Sequence, residues 1–321
     1  MTKEERPHDM GGKSAGRLDT VDHGMAYWEK HANGFRMLLS SKGITTTDEM
    51  RRVAEDMGDK YFERTYFERH SESAKAILIE RGLLNESDIA SKVLQIREKF
   101  AVPNINSQTL QRNATHLFQS NDDDSIPNNT HLTNLAMQEL LEEKGLITSD
   151  EVRQKIENFE TEYPGRGAKV VAKAWTDEKF KIHLLKDARS AITSIGIDLE
   201  TQSEIVVVEN TRSTHNVIVC TLCSCYPRFL LGQPPTWYKS VAYRSRTVYE
   251  PRAVLSEFGT NLPEETLIRV HDSNADLRYM VLPMKPEGAE NISAEKLETT
   301  ISRDSLVGVT IPTLEKLNNA S

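Results

Sequence analysis

Hydrophobic positions fall into two textures along the chain. In the C-terminal half, short β-branched runs are separated by turn residues: Ile205-Val-Val-Val-Glu209, Asn216-Val-Ile-Val-Cys220, Leu267-Ile-Arg-Val-His271, Tyr279-Met-Val-Leu-Pro283 and Val307-Gly-Val-Thr-Ile-Pro312. Runs of this length and composition predict strands. A helical stretch, Ala168 to Ile195, precedes them, and Tyr163-Pro-Gly-Arg-Gly marks the change of texture.

The N-terminal half is punctuated by one repeated pattern, a basic residue and glycine, then an apolar residue, then a helix cap. It reads Lys42-Gly43-Ile44 with Thr46, Arg81-Gly82-Leu83 with Asn85, and Lys144-Gly145-Leu146 with Thr148. Glycine suits the left-handed residue that closes a helix, the apolar side chain packs back on the last turn, and Thr or Asn caps the next helix. Each copy predicts a helix-turn-helix corner, and their uneven spacing argues against a solenoid. Val102 to Asn129 has few apolar residues and no regular period, which predicts a linker. Beyond it, Leu135, Leu140, Leu141, Leu146 and Val152 interrupt a charged surface and predict a helical arm. The expected architecture is α+β: a helical segment over 1–100, a linker over 101–130, and a domain over 131–321 made of an arm (131–165) and a core (166–321).

Composition removes several function classes. With 321 residues and 38% hydrophobic content the chain can bury a real core. A formal net charge of −8 disfavours nucleic acid and anionic membrane surfaces as partners. No run of about 18 apolar residues predicts a membrane span, and the polar start Met1-Thr-Lys-Glu-Glu-Arg-Pro reads as neither secretory nor transit signal, so a cytoplasmic protein is expected.

The cysteines carry the chemistry. All 3 lie in Cys220-Thr-Leu-Cys223-Ser-Cys225, directly after a predicted strand, with none elsewhere to build a disulfide framework. Three soft thiolates on one loop suit a transition metal rather than calcium or magnesium. A closed zinc site wants four protein ligands, and no second Cys pair or His pair is spaced for it, although His215 or His271 could serve. Backbone amides between the thiolates could instead complete the set, favouring a low-spin trivalent ion with an open position. On residue types alone, a zinc loop or merely clustered buried thiols stays ahead of that reading.

Longer motifs point further. Gly167-Ala-Lys-Val-Val-Ala-Lys-Ala-Trp175, Val208-Glu-Asn-Thr211, Asn216 to Pro227, Pro234-Pro-Thr-Trp-Tyr-Lys-Ser240 and Arg278-Tyr-Met-Val-Leu-Pro283 occur in the order found in the nitrile hydratase alpha subunit. From about Leu135 to Pro312 the chain resembles that family, which implies a layered α-β-β-α metal-binding domain. The resemblance further implies that Cys220 is the axial thiolate, that Cys223 and Cys225 become sulfinate and sulfenate, and that the amides of Ser224 and Cys225 complete the metal ligands. Thr221 in the second position of this claw implies cobalt (Co3+), one per chain, with iron (Fe3+) as the alternative. Gln202 matches a family glutamine near the metal, within Gln-Ser-Glu rather than the family's Gln-Gly-Glu. After the claw the family continues Tyr-Pro-Trp-Pro, whereas this chain reads Tyr-Pro-Arg228-Phe; a solvated, outward-pointing Arg228 is expected.

A second resemblance lies at the start. His8-Asp-Met-Gly-Gly12, Thr47 to Met57 and Thr65-Tyr-Phe-Glu-Arg69 are similar to the nitrile hydratase beta subunit N-terminus, as if that segment were fused ahead of an alpha subunit. It implies that Arg51 hydrogen-bonds the oxidised cysteines, a task suited to a planar guanidinium, and that Tyr66 lines the pocket. The beta subunit's C-terminal barrel has no counterpart, so the resemblance implies a separate polypeptide that supplies it, and a metallochaperone. The expected reaction is hydration of a small nitrile to its amide, with Cys225 as nucleophile or base. The alternatives are a thiocyanate hydrolase subunit and a non-catalytic zinc-binding assembly subunit.

Overall fold

The computed structural model describes residues 9–99, 128–201, 203–222 and 225–315. Two compact units emerge, His23–Glu157 and Met1–Asp22 together with Asn158–Ser321. The expected linker lies mostly outside the described residues.

The first unit is helical. Its helices Tyr27–Ser41, Tyr66–Glu80, Glu86–Lys99, Asn129–Glu143 and Ser149–Glu157 bury Phe35, Leu39, Ile77, Leu78, Ile89, Leu132, Met137, Leu141 and Val152 in one core. The expected arm therefore packs with the N-terminal helices, through the apolar positions that stood out of its charged sequence. All three glycine corners form. Gly43, Gly82 and Gly145 have φ of 68°, 65° and 69°. Behind each, the apolar residue's N–H returns to the last turn: Ile44 to Leu39 O at 2.8 Å, Leu83 to Leu78 O at 3.0 Å and Leu146 to Leu141 O at 3.0 Å. Thr46, Asn85 and Thr148 then accept the N–H of Glu49, Asp88 and Glu151, which is the reciprocal end of the same corner.

The second unit mixes helix and strand. Its helical stretch is three helices, Tyr163–Thr176, Glu178–Lys186 and Ala188–Ser194, because Asp177 and Asp187 each cap a new start. Among the described residues four strands follow: β1 (Glu204–Glu209), β2 (Thr214–Val219), β3 (Leu267–Asp272) and β4 (Leu277–Leu282). They form two parallel pairs, β1 with β4 and β2 with β3. Helices Glu178–Lys186 and Ala188–Ser194 pack on β1, while Val241–Tyr249 and Pro251–Glu257 pack on β2 and β3, so the sheets lie between helical layers. The α+β expectation holds.

The fifth predicted strand does not form. Helix Arg303–Val307 ends at Gly308, whose φ of 91° turns the chain away from an extended path. A Cβ at Gly308 would stand 2.0 Å from Asn216 O, so only glycine lets the backbone approach β2 so closely. Among the described residues, no helix is long and apolar enough to cross a membrane.

Candidate metal centre

The pairing of β2 with β3 sets Val219 opposite Asp272. There the ladder ends, and the chain leaves the sheet at Cys220. Cys220 is fully buried and Cys225 nearly so. Cys223, Ser224 and Gln202 lie outside the described residues.

Groups from distant parts of the chain hold the two ends of the cysteine segment. Asp272 takes the Thr221 N–H at 3.0 Å and the Thr221 hydroxyl at 2.6 Å. Arg244, itself buried, donates Nε to Cys220 O at 3.3 Å and Nη2 to Thr221 O at 2.9 Å. The Met10 N–H reaches the same Thr221 carbonyl at 3.2 Å. At the other end the Tyr238 hydroxyl donates to Cys225 O at 2.8 Å. Burial pushes Tyr238 well above the usual tyrosine range, so it stays a donor.

Local sequence explains how these groups are aimed. Ser240 caps helix Val241–Tyr249 by accepting the Tyr243 N–H at 3.1 Å, and the Tyr243 hydroxyl docks that helix on β2 through Ile218 O at 2.6 Å. Trp237 packs edge-on against Tyr243 and Phe258 at 4.9 and 4.8 Å, fixing the turn that presents Tyr238. Asp272 and Arg244 went unnoticed in the sequence. Asp272 carries a recoverable signal: it ends a strand that pairs in parallel with the strand leading into Cys220.

Residues 128–310 match the family model described as nitrile hydratase, alpha chain. The chain belongs to that family. Residues 5–120 match a second model, the nitrile hydratase beta subunit N-terminal region. The low-molecular-weight cobalt-containing nitrile hydratase alpha subunit of Rhodococcus rhodochrous is 50% identical over 179 residues, which is 56% of this chain and 86% of that one. The thiocyanate hydrolase gamma subunit of Thiobacillus thioparus is 40% identical over 189 residues, 56% of this chain and 78% of that one. Among solved structures, an Fe-type nitrile hydratase double mutant from Comamonas testosteroni Ni1 superposes with a TM-score of 0.53 at 37% identity, covering 66% of this chain and 94% of that one. A mutant thiocyanate hydrolase gives a TM-score of 0.54 at 38% identity, covering 58% of this chain and 91% of that one.

The donors present suit the metal of this family. Two buried cysteines five residues apart offer soft ligands, and the Arg244 guanidinium lies at the Cys220 end, on the carbonyls of Cys220 and Thr221. No His, Asp or Glu among the described residues gathers with them into a ligand cluster. His215 and His271, the open candidates for a fourth zinc ligand, are committed elsewhere. His215 Nε2 bonds Gly308 O at 2.7 Å, and His271 Nε2 bonds Asn216 Oδ1 at 2.8 Å.

Arg228 is not solvated as expected but buried, with Nη1 donating to Gln233 Oε1 at 2.8 Å. It opens the short helix Arg228–Leu231, whose Leu230 and Leu231 are fully buried, and their burial carries the guanidinium inward. Arg51 and Tyr66 belong to the helical unit. Arg51 lies 3.8 Å from Asp48 on its own helix, and Tyr66 stacks edge-on against His70 at 4.3 Å.

Proposed function

We propose that the chain is the metal-bearing subunit of an enzyme that hydrates a small nitrile to the corresponding amide. Cys220 and Cys225, with Cys223 and the amides of Ser224 and Cys225, would hold one trivalent cobalt ion, or iron in its place. Such an ion supplies a Lewis acid that acts without redox change. The observation that carries the reading is the pair of buried cysteines that follow β2, with the backbone at Cys220, Thr221 and Cys225 held by Asp272, Arg244 and Tyr238. These three act as positioning residues: they fix the loop ends so that little reorganisation is left for the reaction.

In this reading Cys223 becomes the sulfinate and Cys225 the sulfenate, and the Cys225 oxygen serves as nucleophile or base. Arg51, Tyr66 and Gln202 enter as catalytic residues on resemblance alone. A separate polypeptide carrying the beta-type barrel, a metallochaperone and a cytoplasmic location belong to the same proposal. The deciding experiment is metal analysis with intact mass on chain produced with cobalt and its genomic neighbours, followed by assay for amide. Cobalt, a mass gain of three oxygens and amide formation support the reading. Zinc with unmodified cysteines and no turnover overturns it.

One observation favours a second reading, hydrolysis of thiocyanate. Arg228 follows the claw closely in sequence and is buried, and a guanidinium in a low-dielectric setting favours an anionic substrate. Carbonyl sulfide in the same assay, in place of amide, would move the assignment to thiocyanate.

A further inference from the structure

Residues Asp9–Asp22 belong to the compact unit that carries the claw, although the claw lies some two hundred residues further along the chain. They run over it as a strap without regular secondary structure, tied at intervals. The Met10 N–H donates to Thr221 O at 3.2 Å and the Gly12 N–H to Ser245 O at 3.1 Å. Gly16 O accepts Arg246 Nη1 at 3.1 Å, and the Leu18 N–H donates to Glu257 Oε2 at 3.0 Å. Asp22 closes the strap, with Oδ1 taking the Thr236 N–H at 3.0 Å and Oδ2 taking Arg303 Nη2 at 2.9 Å.

The Gly11-Gly12 pair makes this path possible. A Cβ at Gly11 would sit 3.2 Å from Thr221 Cγ2, so the bare backbone can lie directly on the claw threonine. Gly12 has a φ of 76°, which turns the chain towards Ser245. Met10 and Leu18 are buried and anchor the strap.

The two outer ties bracket the claw. Met10 binds the carbonyl of Thr221, the residue after the first cysteine. Asp22 binds the first residue of helix Thr236–Lys239, and Tyr238 in that helix holds the carbonyl of Cys225, the last cysteine. We propose that the strap is a clamp on the metal claw: docked, it holds both ends of the loop in the metal-retaining arrangement, and its release is the step that lets the metal enter or leave. The proposal rests on the reading of the claw as a metal site. A segment with no helix or sheet of its own, tied at spaced points along its length and anchored by two buried apolar side chains, is of the kind that opens locally while the rest of the unit stays folded. Metal ligands whose supporting bonds are lost bind more weakly, which couples strap opening to metal exchange.

The test uses the full chain. Gly11→Val places a branched side chain against Thr221, and Asp22→Asn removes the charge that holds Arg303. Cobalt(II) is bound to wild type and variants, and its release to excess EDTA is followed by the sulfur-to-cobalt charge-transfer absorbance. Leu297→Ala, a core substitution outside the strap, serves as the control for general destabilisation. The clamp requires each strap variant to release cobalt about 10-fold faster than wild type, the change expected from losing one supporting interaction. It also requires a rate faster than that of Leu297→Ala at equal loss of Tm. Release unchanged from wild type, or no faster than the Tm-matched control, overturns the clamp while leaving the metal site standing. Failure of the wild-type chain, produced with its genomic neighbours and cobalt, to hold the metal overturns the metal site, and the clamp with it.

Discussion

Thr221 and Asp272 are joined twice, the Asp272 carboxylate accepting both the backbone N–H and the side-chain hydroxyl of Thr221, at 3.0 and 2.6 Å. The join follows from the sheet, because the parallel register brings the last residue of β3 beside the first residues after β2. Thr221 is 7% exposed, so water cannot replace a lost acceptor. Asp272→Ala leaves two buried donors unsatisfied and is expected to cost about 2–4 kcal/mol. Thr221→Val removes only the hydroxyl and is expected to cost about 1 kcal/mol. Urea unfolding checks the order, and metal content measured alongside is expected to fall more for Asp272→Ala.

Gly308 and Gly288 both have positive φ, 91° and 81°, but only Gly308 faces backbone where a Cβ would be. At Gly288 the nearest atom is Leu314 Cδ1 at 3.8 Å, an ordinary contact. Gly288→Ala is therefore expected to cost about 1 kcal/mol from conformation alone. Gly308→Ala must also move Asn216 O, and with it β2, so a loss of about 3 kcal/mol or more is expected. Thermal unfolding of the two variants side by side checks this.

The strand end away from the claw supports a prediction about pH. Asn210 Oδ1 accepts both the N–H and the Nδ2 of Asn216, at 2.8 and 2.9 Å, which turns Asn210 Nδ2 towards His215 Nδ1 at 3.2 Å. His215 Nδ1 is thus the acceptor and Nε2–H the donor to Gly308 O, which is the neutral ring. Burial lowers the pKa of His215 from 6.5, and lowers His31 and His271 in the same way. Lowered native values mean that the unfolded chain takes up protons first on acidification. The contribution of these rings is complete above about pH 6.5 and is lost as the pH falls through their native values. Urea midpoints are expected to drop between pH 7 and 5, and His215→Gln is expected to flatten that slope.

Much of this was legible in the sequence where a local rule decides the outcome. The glycine corners at Gly43, Gly82 and Gly145 form because one residue's φ and one cap suffice. The Cys220 loop was placed at a strand end by the β-branched run before it. Three features needed tertiary packing. Gly308 occupies a run that reads as strand, yet its close approach to Asn216 is invisible until β2 is in place. Arg228 follows the buried Leu230 and Leu231 inward, against the usual preference of arginine. The supports from Met10, Arg244 and Asp272 come from segments far apart in the chain, and hydrophobic pattern says nothing about which backbone carbonyl a buried guanidinium will choose.

Arg228 supports the last expectation, about substrate charge. Its guanidinium is buried and donates to the neutral Gln233 Oε1 at 2.8 Å. A buried charge of this kind acts on an anion far more strongly than a solvated one, because the surrounding dielectric is lower. Removing it as Arg228→Gln is expected to weaken an anionic substrate by about 1–2 kcal/mol, roughly a 10-fold rise in KM, and to leave a neutral nitrile within about twofold. Steady-state kinetics with thiocyanate and with a small nitrile on the same preparations separates the two. A selective rise for thiocyanate assigns Arg228 to substrate selection, whereas equal changes for both substrates make it a packing residue of the turn after the claw.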